Sequence, residues 1–289
     1  MDVKNIIKKS INYMGYDINK IAKKRNLKDF KCLTDYSNVI YSTKENFFLV
    51  DVDISCNQIG FMFGKEEWHP FTKAVQEIIK RENVIYKDSI LKKFYDSYQP
   101  ASLYELFFSK MANGLDSYEV DYLKSISKLS LTLPWFYEKK EIVSGEKGLC
   151  SSHGWQGCGP VSDEKGLLEL NRLKVVYNSI SKKGYKSKHS DEINGYFLKN
   201  EDVYRFIVLG GNHRVPVLSA MGYEYIPVKF RSNYPRVIDI KNVKEWPHVK
   251  SGEMSENIAR EIFMTFFNSE KKKLVQQLGI VEAICYEGK

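Results

Sequence analysis

The chain has 289 residues, with 44 Lys and Arg against 36 Asp and Glu for a formal net charge of +8. Hydrophobic content of 43% and charged content of 28% exclude a disordered or fibrous chain. No apolar run approaches the roughly 18 residues of a membrane span, and Met1–Lys9 carries charges where a signal peptide has an apolar core.

A cytoplasmic location is therefore expected. The five cysteines, odd in number and scattered, read as reduced thiols. The positive balance admits nucleic acid, anionic lipid or phosphorylated ligands; a Lys-, Tyr- and Asn-rich composition equally follows from genomic base bias. In chain order, Val3–Arg25 places Ile6, Ile7, Ile11 and Met14 at helical spacing up to Gly15, with Ile18 and Ile21 on a second short helix. Val39–Tyr41 and Asn46–Ile54 read as strands. On the second, Asp51 and Asp53 alternate with Val50, Val52 and Ile54, which is the pattern of a half-buried strand. Two acids on one face also suit Mg²⁺, a secondary reading.

His69-Pro70 precedes a predicted helix, Phe71–Arg81, and Lys87–Tyr98 holds Ile90, Leu91, Phe94 and Tyr95 at helical spacing. Gln99-Pro100 ends that helix, because the residue before Pro is pushed out of the helical region. Leu103–Met111 resumes as helix. Leu133-Pro134-Trp135 and the Gly-rich stretch Gly145–Gly159 mark a boundary between an N-terminal α/β lobe, residues 1–133, and a C-terminal domain, residues 134–289. Within that stretch Cys150, His153 and Cys158 are irregularly spaced and have no fourth ligand, so no metal site is expected. A glycine-rich loop of this length suits a lid.

Ser162 is placed to cap a long helix running to Lys183, with Asp163 and Glu164 in the first turn where carboxylates are stabilised. Arg172 lies mid-helix, either within reach of a phosphate or solvated. Phe206–Leu209 then reads as a buried strand, Gly210-Gly211 as a tight turn, and Asn212 as the N-cap of a helix carrying Val215, Leu218 and Met221 and ended by Gly222. Ile226–Phe230 is the next strand. Free backbone N–H groups at such a turn favour an anion, and His213 and Arg214 add donors suited to phosphate oxygens. Val237–Ile240 reads as an edge strand, Ser255 as the cap of a helix to Phe267, and Lys271–Lys273 as an exposed charge run.

Gly210-Gly-Asn-His-Arg214, the short helix ending in Met221-Gly222-Tyr223 and the strand from Ile226 resemble the signature box of the ParB/sulfiredoxin superfamily. Leu167–Tyr185 is similar to the helix preceding that box, so the resemblance covers roughly residues 160–230. It implies an α/β (α+β) fold, with a ParB/sulfiredoxin-like domain in the C-terminal half beside the N-terminal lobe. It also implies that Gly210, Gly211, Asn212, His213 and Arg214, with Arg172, hold nucleotide phosphates. ATP or ADP is the expected nucleotide, with CTP behind them and Mg²⁺ as companion. Serine kinases of the superfamily place a catalytic Glu at the start of the long helix, where this chain has Glu164 and, next to it, Asp163; His213 is the third catalytic candidate.

Two positions depart from members of the superfamily. Asn212 stands where sulfiredoxins carry their catalytic Cys, which argues against sulfinic-acid repair, and Gly210 stands where the kinases have Asp. The whole chain also resembles ParB-like proteins found among bacterial surface-polysaccharide genes. The expectation is a nucleotide-dependent phosphotransferase acting on a small hydroxylated metabolite or sugar. The alternatives are a nucleotide-gated DNA- or protein-binding module and a non-catalytic regulator. No DNA-reading helix-turn-helix follows the box, so nucleic acid is not the expected partner.

Overall fold

The computed structural model describes residues 36–41, 47–81, 83–108, 114–128, 130–137, 140–141, 148–185, 192–268 and 270–280. The helices expected in Val3–Arg25 lie outside the described residues. Strands β1 (Phe47–Asp51) and β2 (Ser55–Cys56) come first, and β3 (Ser130–Leu131) and β4 (Lys140–Glu141) form a separate antiparallel pair. Strands β5 (Ile193–Asn200), β6 (Val203–Gly210), β7 (Tyr225–Phe230) and β8 (Val237–Asp239) complete a six-stranded mixed sheet with β1 and β2. The protein is thus of mixed α/β class.

The sheet order is β1-β7-β5-β6-β2, with β8 also paired to β5. β5 is antiparallel to β6 and parallel to β7 and β8. Because successive side chains of a strand point to opposite faces, Phe197 and Tyr196 pack on opposite faces of the sheet. Phe197 packs on Phe206 with ring centroids 5.1 Å apart, and Phe48 on Phe230 at 4.7 Å. On the other face Trp135 donates its indole N–H to the Tyr196 hydroxyl at 3.0 Å and meets Trp246, Phe263 and Phe266 edge-on.

β1 and β2 come from the N-terminal half, yet they pair with β7 and β6. Residues on both sides of the expected division at 133/134 therefore contribute to one sheet and one core. Three local expectations are corrected. Ser37–Ile40 is a short helix, not a strand. β1 stops at Asp51, whose carboxylate accepts the Asp53 N–H at 2.8 Å and caps a 3₁₀ turn, Val52–Ile54. Asp53 in turn accepts the Lys65 N–H at 2.9 Å, so both acids serve the backbone and do not share a strand face. Pro70–Lys80, Ile90–Ser97 and Asp163–Lys183 form helices near the predicted positions. The first is capped by the imidazole of His69, whose Nδ1 accepts the Phe71 N–H at 3.2 Å; burial pushes the His69 pKa down to about 3.

Lys271 is the third correction. It begins the run read as solvated, but it is only 3% exposed. Its ammonium donates to the Tyr98 hydroxyl at 3.2 Å and to the Leu106 carbonyl, and lies 5.6 Å from the Phe61 ring centroid. Burial lowers its pKa to about 7 from the ordinary 10.5. A lysine whose folded pKa is depressed destabilises the fold fully below pH 7, and that penalty fades as pH rises toward 10.5. Wild type is therefore expected to gain stability relative to Lys271→Met between pH 7 and 9.5, by roughly 1 kcal/mol per pH unit. Urea denaturation of both proteins across that range checks this; parallel pH profiles would contradict it.

Candidate functional site

The site is assembled where the long helix Asp163–Lys183 passes the turn after β6. Ser162 caps this helix by accepting the Lys165 N–H at 3.2 Å. Lys165, Glu169 and Arg172 follow at i, i+4 and i+7 and so share one helix face. Glu169 is 0% exposed. Its Oε1 lies 2.7 Å from the Lys165 ammonium and accepts a hydrogen bond from Arg172 at 3.0 Å, while its Oε2 is 2.5 Å from Nε2 of His213. Burial raises the pKa of Glu169, but the hydrogen bond and charge of His213, with those of Lys165, outweigh it and hold the carboxyl below its ordinary value. Glu169 is a buried anion with three basic partners.

β6 delivers the turn. Gly211 has φ +100°, a region favoured by glycine. A Cβ there would come within 2.9 Å of Ile193, and one on Gly210 within 2.3 Å of the Asn194 amide. Gly211 is thus favoured by both its φ and its packing on β5, whereas a side chain on Gly210 would have to displace the Asn194 amide. The helix that follows begins at Arg214 rather than after Asn212, and His213 occupies the cap position without a capping side-chain bond. The Arg214 and Val215 N–H groups both donate to the Gly211 carbonyl, at 2.8 and 3.1 Å, so these two donors at the helix start are spent internally. Gly222, at φ +81°, ends the helix as expected. His213 is fixed on its other side by the ring of Phe71, stacked at 5.3 Å and 27°.

Between the turn and the long helix lies an open cavity of about 430 Å³. Gly211, Asn212, His213 and Arg214 line it from the turn; Asn171 and Arg172 line it from the helix, with Leu168, Val175 and Val176 as an apolar wall. The structure therefore brings together Arg172, Gly211, Asn212, His213 and Arg214, with Gly210 one residue away. It does not bring Glu164 or Asp163 to them: both are exposed at the helix start, and neither lines the cavity. The Glu164 carboxyl is held below its ordinary pKa by its own backbone N–H and by Ser162, as in a helix cap. The groups missed by sequence reading are Lys165 and Glu169. Their signal was the charged i, i+4, i+7 spacing with Arg172.

The described part of the Gly-rich stretch is fastened down. Gly159 donates its N–H to the Tyr98 carbonyl at 2.8 Å, and Tyr95 donates to the Gln156 carbonyl at 3.0 Å. None of its residues lines the cavity. Cys158 is buried, whereas Cys150 is exposed with its Sγ 3.0 Å from the Ser152 hydroxyl and 3.3 Å from Nδ1 of His153. Among the described residues no group of three or more His, Cys, Asp or Glu side chains is arranged to hold a metal ion, and no helix is long and apolar enough to cross a membrane. Comparison of the chain with protein-family models, with curated proteins and with solved structures finds no match.

Two outcomes are expected. Glu169→Gln removes the buried anion on which Lys165, Arg172 and His213 converge and should lower unfolding stability by about 3–5 kcal/mol, read by denaturant titration; an unchanged midpoint would remove the buried-anion assignment. Hydrogen bonds from Ser152 and His153 lower the Cys150 pKa to about 7, whereas burial raises those of Cys56 and Cys158. Alkylation of the native protein, mapped by mass spectrometry, should therefore mark Cys150 at neutral pH and spare Cys56 and Cys158.

Proposed function

We propose that this protein is a nucleotide-dependent phosphotransferase whose nucleotide lies in the cavity between the long helix and the Gly210–Arg214 turn. The observation that carries this reading is the division of the cavity wall. Arg172 and Arg214 supply cationic donors for phosphate oxygens, while Leu168, Val175 and Val176 with the amides of Asn171 and Asn212 suit a base and ribose. A volume of about 430 Å³ accommodates a whole nucleotide. The resemblance of the turn to the ParB/sulfiredoxin box supports the same reading, with ATP or ADP as the ligand.

His213 is the group placed to act on an acceptor hydroxyl. Glu169 engages Nε2 and fixes the ring, as a carboxylate orients a general base. In the transfer, the hydroxyl oxygen attacks the terminal phosphorus as its proton passes to the imidazole; the bond from phosphorus to the bridging oxygen breaks, and the shortened nucleotide leaves with that oxygen. Both oxygens of Glu169 are already engaged by Lys165, Arg172 and His213. Glu169 therefore does not fit as a magnesium ligand; a divalent ion accompanying the nucleotide would be carried by phosphate oxygens and water.

Thermal-shift measurements with ATP, ADP, CTP and GTP, each with and without Mg²⁺, test the reading. A ligand at a hundredfold excess over its Kd adds about 2.7 kcal/mol of stability. Arg214→Ala is expected to remain folded and to lose about 1.5–3 kcal/mol of nucleotide binding, with Arg172→Ala in the same direction. An undiminished shift in both variants would sink the phosphate assignment. Phosphorylated product from a pool of hydroxylated metabolites, abolished in His213→Gln, is the expected activity.

A further inference from the structure

A second cavity lies just before the Gly-Gly turn, on the same strand. It measures about 190 Å³ and is lined by Gln58, Leu131, Leu133, Phe136, Tyr137, Leu209, Asn233 and Tyr234. Leu209 in its wall and Gly211 in the wall of the nucleotide cavity are two residues apart on the chain, so their Cα atoms lie within roughly 7 Å of each other. The chemistry of this second wall is different. Among the described residues its wall carries no charged side chain; it combines three aromatic rings, three leucines and two amides.

The rings form a built surface. Phe136 meets Tyr234 edge-on at 5.0 Å and Tyr196 edge-on at 5.2 Å, and Tyr196 is held by the Trp135 indole. Asn233 has φ +65°, a left-handed conformation that Asn tolerates better than most residues. Tyr137 is 79% exposed at the rim, a large ring left in water beside a cavity.

We infer that this cavity binds the acceptor as an uncharged, hydroxylated ring of monosaccharide size. Aromatic faces cover the C–H faces of such a ring, and the Gln58 and Asn233 amides, which both donate and accept, satisfy its hydroxyls. A charged metabolite would meet no counter-charge among the lining residues and would be desolvated at a cost. The volume admits one ring and not a second. The role as acceptor rests on the phosphotransferase reading; the ring-binding site itself does not.

The test uses the full chain with methyl glycosides of common hexoses and of N-acetylhexosamines as probes, beside hexuronic acids and hexose phosphates. Saturation-transfer NMR reads binding without nucleotide. At least one uncharged glycoside is expected to bind, with affinity falling fivefold or more in Tyr137→Ala and in Gln58→Ala and unchanged in Arg214→Ala. Tyr137 is exposed, so its variant should fold; unchanged far-ultraviolet circular dichroism confirms it. Binding by none of the glycosides, binding of the acids and phosphates in preference, or binding indifferent to both pocket variants would each overturn the inference. Glycoside binding without any nucleotide shift would leave this site standing and remove the phosphotransferase reading; the reverse pattern would do the opposite.

Discussion

The candidate site depends on one buried carboxylate. Glu169 is fully shielded from water and would be too costly to hold there alone, since an isolated buried charge shifts its pKa or destabilises the fold. It remains an anion because the Lys165 ammonium, the Arg172 guanidinium and the His213 imidazole converge on it. The dependence is mutual. Lys165 sits in the first turn of the long helix, where the helix dipole disfavours a cation, and it is only 2% exposed. The carboxylate also ties the long helix to the turn after β6, elements 44 residues apart in the chain.

That tie sets the geometry of the cavity between the long helix and the Gly210–Arg214 turn. Arg172 and His213 are fixed before any ligand arrives, which reduces the ordering cost of binding. Phe71, stacked on His213, extends the support to the helix Pro70–Lys80, whose start is in turn capped by the neutral ring of His69. His69 itself stacks on Phe63 at 4.2 Å. The N-terminal half is thus part of the scaffold of the site, through its strands in the shared sheet and through this aromatic chain. A separate N-terminal lobe would not have produced that coupling.

Much of the local structure was legible because it follows from short-range rules. Ser162 and Ser255 cap helices at the positions their hydroxyls suggest, Pro100 follows the end of the helix Ile90–Ser97, and Gly222 ends the helix after the turn. The strand–turn–helix–strand unit around Gly210–Arg214 was legible for the same reason. What was not legible depends on distant partners. β5 carries Asn194, Gly195 and Asn200 among its apolar residues, and its central place comes from pairing with three strands. Lys165, Glu169 and Lys271 look like solvated charges by residue type, and only the packing of other elements over them makes them interior. Asp163 and Glu164 drew attention as first-turn acids, but the group that meets His213 lies a turn and a half further along the helix.

Histidine-selective NMR during an ATP titration tests the central arrangement most directly, because His213 is both the partner of Glu169 and a wall of the cavity proposed to hold the nucleotide. The expected result is a saturable shift of the His213 imidazole signals, assigned by His213→Gln, while buried His69 stays in place. ATP binding that stabilises the protein but leaves His213 unmoved would contradict the arrangement and put the nucleotide elsewhere.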